Sequence, residues 1–380
     1  MRSASCVAAI LTGLLAVFAS PTFAANPTGF HTLEIGDAAP DFKLPGVDGK
    51  DYTLASFADA KVLLVVFTCN HCPTAQAYEQ RIIDLDADYK AKGVQVVAIS
   101  PNDPQAVRLD ELGYTDVGDS LEDMKLRAKD RGFAFPYLYD GETQATSLAY
   151  GVLATPHVFV FDQGRKLRYA GRIDNSDIKE VTSPDVRNAL DALLAGSSVP
   201  VEKTRVFGCS TKWQDKRTDA AASLAKWDQE PVALEPIDEA GVAKLAKNDT
   251  DKLVVVNLWA TWCGPCVAEL PELVTMNRMY RRRNFQLVTI SLDEPEEKAA
   301  ALSVLKEKHA SATNYISAIA DRDKFAELLD KEWPGPIPYT LVIAPGGKVI
   351  YRKSGGIEPL ELRRAVVDSL GRTYASRKDK

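Results

Sequence analysis

A strand, a Cys-X-X-Cys pair and a helix follow one another twice in this chain, and this repeat restricts the possible folds more than any other feature. Both pairs lie between an apolar run of strand length and a helical pattern: Cys69 and Cys72 after residues 62–67, and Cys263 and Cys266 after residues 253–256. At the start of a helix, free backbone N–H groups and the helix dipole stabilise a thiolate, which lowers the pKa of the thiol. A second thiol one turn away can then resolve the mixed disulfide. The sequence therefore predicts two dithiol–disulfide sites.

The residues around the second pair resemble the active site of thioredoxins. They read Trp262-Cys263-Gly264-Pro265-Cys266, and the following Glu269-Leu270-Pro271 is similar to the TlpA-like branch of that superfamily, which is linked to membrane thiol reductases. The resemblance implies that Cys263 attacks and that Cys266 is the buried resolving thiol, with Trp262 as a supporting residue. It also implies a reducing potential on the order of −270 mV.

One departure from the thioredoxin pattern concerns the proton acceptor. Thioredoxins place a buried Asp six residues before the first cysteine, and this chain has Asn257 there. Glu269, three residues after Cys266 and near its face of the helix, resembles the glutamate that tunes the pair in TlpA-like proteins. The alternative is an ordinary exposed helix glutamate.

The first half resembles a different branch. Its opening, residues 36–46, is similar to that of redoxins, and the Thr-Cys-Asn-His-Cys-Pro site at 68–73 and the Gly-Cys-Ser-x-Lys-Trp segment at 208–213 are found together in peroxiredoxin-like thioredoxin-family proteins. His71 can donate a hydrogen bond or positive charge to the Cys69 thiolate, which would make this disulfide the more oxidising one and draw electrons from the second pair. The alternative for His71 is an exposed side chain without a role. Cys209 is either a third redox thiol or a packed cysteine in a tail.

These resemblances imply an α/β chain with two tandem thioredoxin-fold domains, each a central mixed sheet flanked by helices. Both halves carry a proline at the start of a late strand, Pro156 and Pro338, and in the thioredoxin fold this proline is cis and lies beside the active-site sulfurs. An ordinary trans proline at a strand start is the alternative. We expect a redoxin-like domain over residues 34–213, a linker over 214–236 and a TlpA-like domain over 237–375.

The amino terminus predicts export. Residues 1–24 combine Arg2, an apolar run and small residues before a cleavage site, as in a secretory signal peptide, and no stretch approaches the ~20 apolar residues of a membrane span. We therefore expect a periplasmic protein without stable membrane insertion. Of the six cysteines, Cys6 lies in this signal peptide, and the remaining two close pairs and one odd cysteine indicate catalysis in an oxidising compartment, because structural disulfides link distant elements.

Composition and spacing limit the partners. The 46 Lys and Arg against 52 Asp and Glu give a net charge of −6, so nothing favours nucleic acid. We expect protein disulfides as substrates, a membrane thiol reductase as electron donor, no cofactor and no metal ligands. Two alternatives stay open: a thiol peroxidase, although the Pro-x-x-x-Thr-x-x-Cys spacing of peroxiredoxins is missing, and a carrier of copper or zinc that uses one pair with His71.

Overall fold

The computed structural model describes residues 26–374, and the signal peptide predicted for residues 1–24 therefore lies outside the described residues. The described chain forms a five-stranded and a six-stranded sheet, together with two pairs of short strands. Helices pack on the sheets of both halves. The predicted fold class, two thioredoxin-like α/β units in tandem, is confirmed by the two mixed sheets and the helices packed on them. No helix within residues 26–374 is long and apolar enough to cross a membrane.

Strands and helices alternate through the first half. In chain order they are β1 (Lys43–Pro45), β2 (Asp51–Thr53), β3 (Val62–Phe67), α1 (Pro73–Tyr89), β4 (Val94–Ser100), α2 (Leu121–Arg131), β5 (Tyr137–Tyr139), α3 (Ala145–Tyr150), β6 (Ala154–Thr155), β7 (His157–Phe161), β8 (Leu167–Gly171), α4 (Asp185–Leu194) and β9 (Cys209–Ser210).

Strand β3 is the central strand of the five-stranded sheet, whose order is β5-β4-β3-β7-β8. It runs parallel to β4 and antiparallel to β7. Because side chains alternate along a strand, Leu64 and Val66 enter the core beneath α1 and α4, while Leu63 and Val65 enter the core on the opposite face. Burial on both faces explains why this strand is a continuous apolar run.

The second half repeats this plan. Its elements are β10 (Glu235–Ile237), α6 (Glu239–Lys247), β11 (Leu253–Trp259), α7 (Gly264–Tyr280), β12 (Phe285–Ser291), α8 (Lys298–Glu307), β13 (Thr313–Ser317), α9 (Arg322–Leu329), β14 (Tyr339–Ile343), β15 (Val349–Ser354) and α10 (Pro359–Leu370). The sheet order is β10-β13-β12-β11-β14-β15. Strand β11 is parallel to β12 and antiparallel to β14, as β3 is to its neighbours.

The segment between the two sheets contains a helix that the sequence did not predict. Helix α5 (Arg217–Asp228) lies inside the stretch expected to be a linker. Of its side chains only Trp227 is buried, so its sequence lacks the apolar stripe that marks an amphipathic helix. Arg278 of α7 binds Asp228 at 2.7 Å, which ties the end of α5 to the second half.

The halves meet through the stretch that follows β4. The carbonyl of Thr115 accepts a 2.8 Å hydrogen bond from the hydroxyl of Tyr280, at the carboxyl end of α7. Asp116 is buried and pairs with Arg364 at 3.1 Å and Arg372 at 2.5 Å. The interface therefore combines polar contacts around residues 113–116 with apolar packing, because Leu109 and Leu112 lie against the core of the second half.

Candidate functional site

The second cysteine pair lies where β11 gives way to α7. Cys263 is the residue that caps the helix, and its sulfur accepts a hydrogen bond from the backbone N–H of Cys266 at 3.3 Å. The two form a disulfide in this structure. Cys266 is fully buried, Cys263 retains 7% exposure, and the Trp262 side chain is 64% exposed beside them. An outside partner can therefore reach Cys263 and the indole, but not Cys266.

A buried carboxyl group, that of Glu269, follows this pair on α7. Glu269 accepts hydrogen bonds from the side-chain amide of Asn257 at 2.8 Å and from the backbone N–H of Ile357 at 2.9 Å. Burial raises the pKa of Glu269 above its usual value, and these two hydrogen bonds offset part of the rise. The alternative of an ordinary exposed glutamate is therefore wrong: the side chain is only 9% exposed and touches the residue that replaces the thioredoxin aspartate.

Both late-strand prolines are cis, as the resemblance implied. The bonds Thr155–Pro156 and Ile337–Pro338 immediately precede the strands β7 and β14. Those strands pair with the central strands that carry the cysteines, which brings each proline to the cysteine end of its sheet.

The first cysteine pair is set differently on its helix. Helix α1 begins at Pro73, so Cys72 is its capping residue, and the sulfur of Cys72 accepts the N–H of Ala75 at 3.4 Å. The prediction that the first cysteine of a pair meets the helix start is therefore confirmed for Cys263 and wrong for Cys69. The sequence carried a signal for this, because a proline directly after a capping residue is preferred at the first helical position.

Buried carboxylate Asp119 holds the residues between the two cysteines. One oxygen accepts the backbone N–H groups of Asn70 at 2.9 Å and His71 at 3.1 Å. The other oxygen accepts hydrogen bonds from Nδ1 of His71 at 2.6 Å and from the side-chain amide of Asn102 at 2.8 Å. These contacts keep Asn70 and His71 out of the helix. His71 is thus buried, and the alternative of an exposed side chain is wrong.

The charges of this site are set by burial and by its neighbours. Burial would lower the pKa of His71, but the Asp119 carboxylate outweighs it and raises that pKa. Burial alone would raise the pKa of Asp119, but the charge of His71 and the hydrogen bonds that Asp119 accepts outweigh this effect and lower that pKa. These shifts favour the protonated imidazole and the ionised carboxylate beside the two thiols.

The two thiols of the first pair differ in acidity. Burial, with the hydrogen bond to Cys72 and the nearby negative charges, raises the pKa of Cys69. Burial also opposes ionisation of Cys72, but the thiols of Cys209 and Cys69 and the charge of His71 lower its pKa. The site therefore favours a thiolate on Cys72, whereas the sequence predicted one on Cys69.

Cys209 joins this pair across the fold. Strand β9 pairs with β6, and the register places Cys209 opposite Thr155, the residue before the cis proline. The sulfur of Cys69 lies 3.0 Å from the Thr155 hydroxyl, and that of Cys72 lies 3.5 Å from the Thr155 carbonyl oxygen. Cys209 packs against the small cluster that contains Cys69, Cys72 and Ala75, so it lies at this site, and its role as a third redox thiol stays a prediction.

Three side chains of the first site could also hold a metal ion. Within the described residues, ligand atoms of Cys69, His71 and Asp119 lie within 4.8 Å of one another. Nε2 of His71 is buried without a hydrogen-bond partner. Sulfur, imidazole and carboxylate ligands together suit zinc or copper.

Helix α7 contacts the first half at the end away from the second cysteine pair. Cys263 caps the amino-terminal end of α7, whereas the hydrogen bond from α7 to the first half comes from Tyr280, at its other end. A helix of 17 residues is roughly 25 Å long. This contact of α7 with the first half therefore lies far from Cys263.

Comparison with known proteins gives matches in both halves. A model of the AhpC/TSA family matches residues 35–170 and 232–352. The chain is 31% identical over 98 residues to the thiol-disulfide oxidoreductase ResA of Oceanobacillus iheyensis, a match that covers 26% of this chain and 47% of that protein. It is 29% identical over 99 residues to the thiol-disulfide oxidoreductase ResA of Bacillus subtilis, a match that covers 26% of this chain and 51% of that protein. The chain thus spans about half the length of these curated relatives.

Solved structures include similar chains. One is a hypothetical protein of Sinorhizobium meliloti, 36% identical, with a TM-score of 0.44 and coverage of 49% of this chain and 97% of that one. Another is an uncharacterised protein of Geobacillus kaustophilus. It is 38% identical, with a TM-score of 0.44, and the match covers 49% of this chain and 95% of that one.

Proposed function

The chain belongs to the AhpC/TSA family, and on that premise we propose that it is a thiol–disulfide oxidoreductase with two active cysteine pairs. The observation that carries this proposal is the repeated placement of the pairs. Each follows the central strand of its sheet, and in each one cysteine caps a helix and accepts a backbone N–H. This is the setting in which a thiolate is stabilised and can attack a disulfide.

In the second half Cys263 is the attacking sulfur. Its thiolate attacks one sulfur of a substrate disulfide, and the other substrate sulfur leaves as a thiolate. Cys266 then loses its proton to the Glu269 carboxylate and attacks the sulfur of Cys263, which releases the second substrate thiol and forms the Cys263–Cys266 disulfide. Glu269 suits this role because its burial and raised pKa make it a better proton acceptor than an exposed carboxylate.

In the first half Cys72 carries the negative charge and Cys69 is its disulfide partner. The buried His71 imidazolium lies next to Cys72 in the chain, and Asp119 keeps that ring protonated and fixed. A stabilised thiolate makes the reduced form of a pair more favourable and its disulfide more oxidising. The first pair therefore accepts electrons more readily than the second.

We further propose that the protein works outside the cytoplasm. Residues 1–24 act as an export signal, a membrane thiol reductase supplies electrons to the second pair, and protein disulfides are the substrates. Support comes from the leader pattern and from the similarity to relatives named thiol-disulfide oxidoreductases. Because α7 contacts the first half at the end away from Cys263, we propose that transfer from the second pair to the first takes place between two molecules.

The direct test is to trap a substrate. Full-length Cys266→Ser, expressed in a secreting host, should accumulate mixed disulfides on Cys263 that a reducing agent releases. Cys263→Ser, which keeps the buried cysteine, is the matched control and should trap none. If Cys266→Ser traps nothing and the wild type does not reduce a model protein disulfide, the proposed function is wrong.

A second candidate function is metal binding at the first site. It is favoured by one observation, the cluster of Cys69, His71 and Asp119 with an unpartnered imidazole nitrogen. Titration of the reduced protein with zinc or copper(I), read by mass spectrometry under native conditions, should show one bound ion that is lost in His71→Ala. An absence of binding in the wild type would remove this candidate and leave the oxidoreductase proposal intact.

A further inference from the structure

The three cysteines of the first half differ in their access to solvent. Cys72 has no exposed surface and Cys69 only 2%, whereas the Cys209 side chain is partly exposed. All three lie around Thr155, which contacts the two buried sulfurs and is paired with Cys209. An outside thiol or disulfide therefore meets Cys209 before it can meet either member of the Cys-X-X-Cys pair.

The segment that carries Cys209 is fixed in place and closes this face of the site. Gly208 has a φ of +144°, and a Cβ there would come within 2.0 Å of the Thr155 carbonyl oxygen, so only glycine permits this approach. Thr211 donates a 3.0 Å hydrogen bond to the Val152 carbonyl, and Lys212 pairs with Glu111 at 2.6 Å.

Two aromatic contacts secure the ends of the same segment. The ring of Phe207 lies 6.1 Å from that of Tyr78 on α1, and the ring of Trp213 lies 6.0 Å from that of Phe30. The segment from 207 to 213 is thus anchored on both sides of Cys209, and its position beside Cys72 is a stable part of the fold.

We propose that Cys209 is the entry thiol of the first site: it forms a disulfide with Cys72 in exchange for the Cys69–Cys72 disulfide and passes it to outside thiols. The inference rests on the proposed thiol–disulfide function and names the residue through which that site exchanges with its surroundings.

The exchange needs no reactant beyond the oxidised pair and a substrate thiol. The Cys209 thiol loses its proton and attacks the Cys72 sulfur; the Cys69–Cys72 bond breaks, and Cys69 leaves and takes up a proton. A substrate thiolate then attacks the Cys209 sulfur, and Cys72 leaves as a thiolate. A second substrate thiolate attacks the mixed disulfide and releases Cys209, so two substrate thiols become one disulfide and the first site gains two electrons. Reduction of a substrate disulfide runs through the same steps in reverse.

Accessibility supports the order of these steps. Cys72 has no exposed surface, whereas the Cys209 side chain is partly exposed. Attack from outside on a Cys72–Cys209 disulfide is therefore directed to the Cys209 sulfur, with Cys72 as the leaving group.

The test uses the full chain in which both cysteines of the second pair are replaced, Cys263→Ser and Cys266→Ser. In this background Cys69→Ser leaves Cys72 and Cys209 as the cysteines that follow the predicted signal peptide, and incubation with oxidised glutathione should give a Cys72–Cys209 disulfide in peptide mapping by mass spectrometry. Cys72→Ser is the matched control and should give at most a glutathione adduct on Cys209. Adducts without the Cys72–Cys209 disulfide in the Cys69→Ser variant would overturn the inference.

A second measurement keeps Cys69 and Cys72 intact. Cys209→Ser should slow the oxidation of this pair by glutathione at least about tenfold, because the buried sulfurs lose their contact with solvent. The equilibrium amount of the Cys69–Cys72 disulfide should stay the same, and Ser210→Ala, in the same strand, should keep the original rate. An unchanged rate in Cys209→Ser overturns the inference, whereas failure of the Cys69–Cys72 disulfide to form in any variant overturns the proposed function of the first pair.

Discussion

Cys72 and Cys263 occupy the same position relative to the helices that follow them, although Cys72 is the second cysteine of its pair and Cys263 the first. Each sulfur accepts the N–H of the residue three positions further on, at 3.4 Å and 3.3 Å. The stabilised sulfur therefore lies at opposite ends of the two motifs, and the two sites differ in which cysteine an outside partner can reach.

The acidity of Cys72 should be visible in a spectroscopic titration. With the second pair replaced by serine, thiolate absorbance near 240 nm should rise below the usual thiol pKa of about 8.5. Cys72→Ser should abolish this early rise, and Cys69→Ser should retain it in reduced form, because His71 and Cys209 remain to stabilise the charge. A rise that disappears with Cys69 instead would restore the assignment that the sequence predicted.

Burial of Glu269 should make stability depend on pH. Because the folded-state pKa of this carboxyl is raised above 4.5, its ionisation is more costly in the folded state, and the free energy of unfolding should fall as pH rises from 4.5 through the raised pKa. Glu269→Gln should flatten this decline, although it also loses one hydrogen bond, since an amide oxygen replaces two accepting oxygens. Denaturant unfolding from pH 4 to 8 provides the measurement. Glu235→Gln, on an exposed residue, should leave the slope unchanged.

The His71–Asp119 pair should stabilise the first half within a limited pH range. The raised pKa of His71 means that its contribution is present below about 6.5 and is lost as pH rises through the folded-state value. The lowered pKa of Asp119 means that its contribution is lost as pH falls below 3.8. Unfolding should be followed in Cys72→Ser, so that the thiolate does not titrate in the same range.

Variants of the His71–Asp119 pair separate the contribution that is lost at high pH from the one that is lost at low pH. Asp119→Ala should cost about 3–5 kcal/mol of unfolding free energy, because it leaves a buried imidazolium without its partner. His71→Gln should remove the decline that begins above pH 6.5 and keep the protein folded. A decline of the same size in His71→Gln would show that another group is responsible.

The exposed indole of Trp262 should bind protein substrates. Its side chain is 64% exposed next to Cys263, and large aromatic side chains dominate binding at such contacts. Trp262→Ala should lower kcat/KM for a protein disulfide by about tenfold, which corresponds to 1.4 kcal/mol, mainly through KM. Reduction of a small disulfide such as oxidised glutathione is the control and should change less than twofold by the same reasoning. Equal losses on both substrates would indicate that the indole tunes the cysteines instead.

Gly208 should be required for the position of Cys209. Since a Cβ would meet the Thr155 carbonyl oxygen at 2.0 Å, Gly208→Ala must push β9 away from β6, at a cost of about 1–3 kcal/mol. The thiol of Cys209 should then react faster with iodoacetamide, because it loses its packing against the buried pair. Ser210→Ala should leave the alkylation rate unchanged, and an unchanged rate in Gly208→Ala would contradict the geometry.

The parts of the fold that the sequence predicted are those with local signals. Both central strands were recognisable because burial on two faces makes them continuous apolar runs, and the cysteine pairs were recognisable from the elements around them. Helix α5 was not, because only Trp227 of it is buried. The capping role of Cys72 had a local signal, the proline at position 73. This signal was overlooked because the first pair was interpreted by analogy with the second, in which the first cysteine caps the helix.

Long-range partners could not be predicted from the sequence. Asp119 lies 48 positions from His71 and Cys209 lies opposite Thr155 only through the pairing of β9 with β6, and neither contact leaves a pattern in the chain. The burial of Glu269 likewise depends on Asn257 and Ile357, which come from separate elements. The sequence indicated the chemistry of each site, and the fold determines which sulfur carries the charge and which one is accessible.

The most direct test of the central claim is the number of disulfides that the reduced chain forms with excess oxidised glutathione. We expect two intramolecular disulfides in the wild type, Cys69–Cys72 and Cys263–Cys266, one in each variant with a single pair replaced by serine, and none when both pairs are replaced. Peptide mapping after rapid alkylation counts them. Glutathione adducts without either intramolecular disulfide in the wild type would show that neither pair is a dithiol–disulfide site.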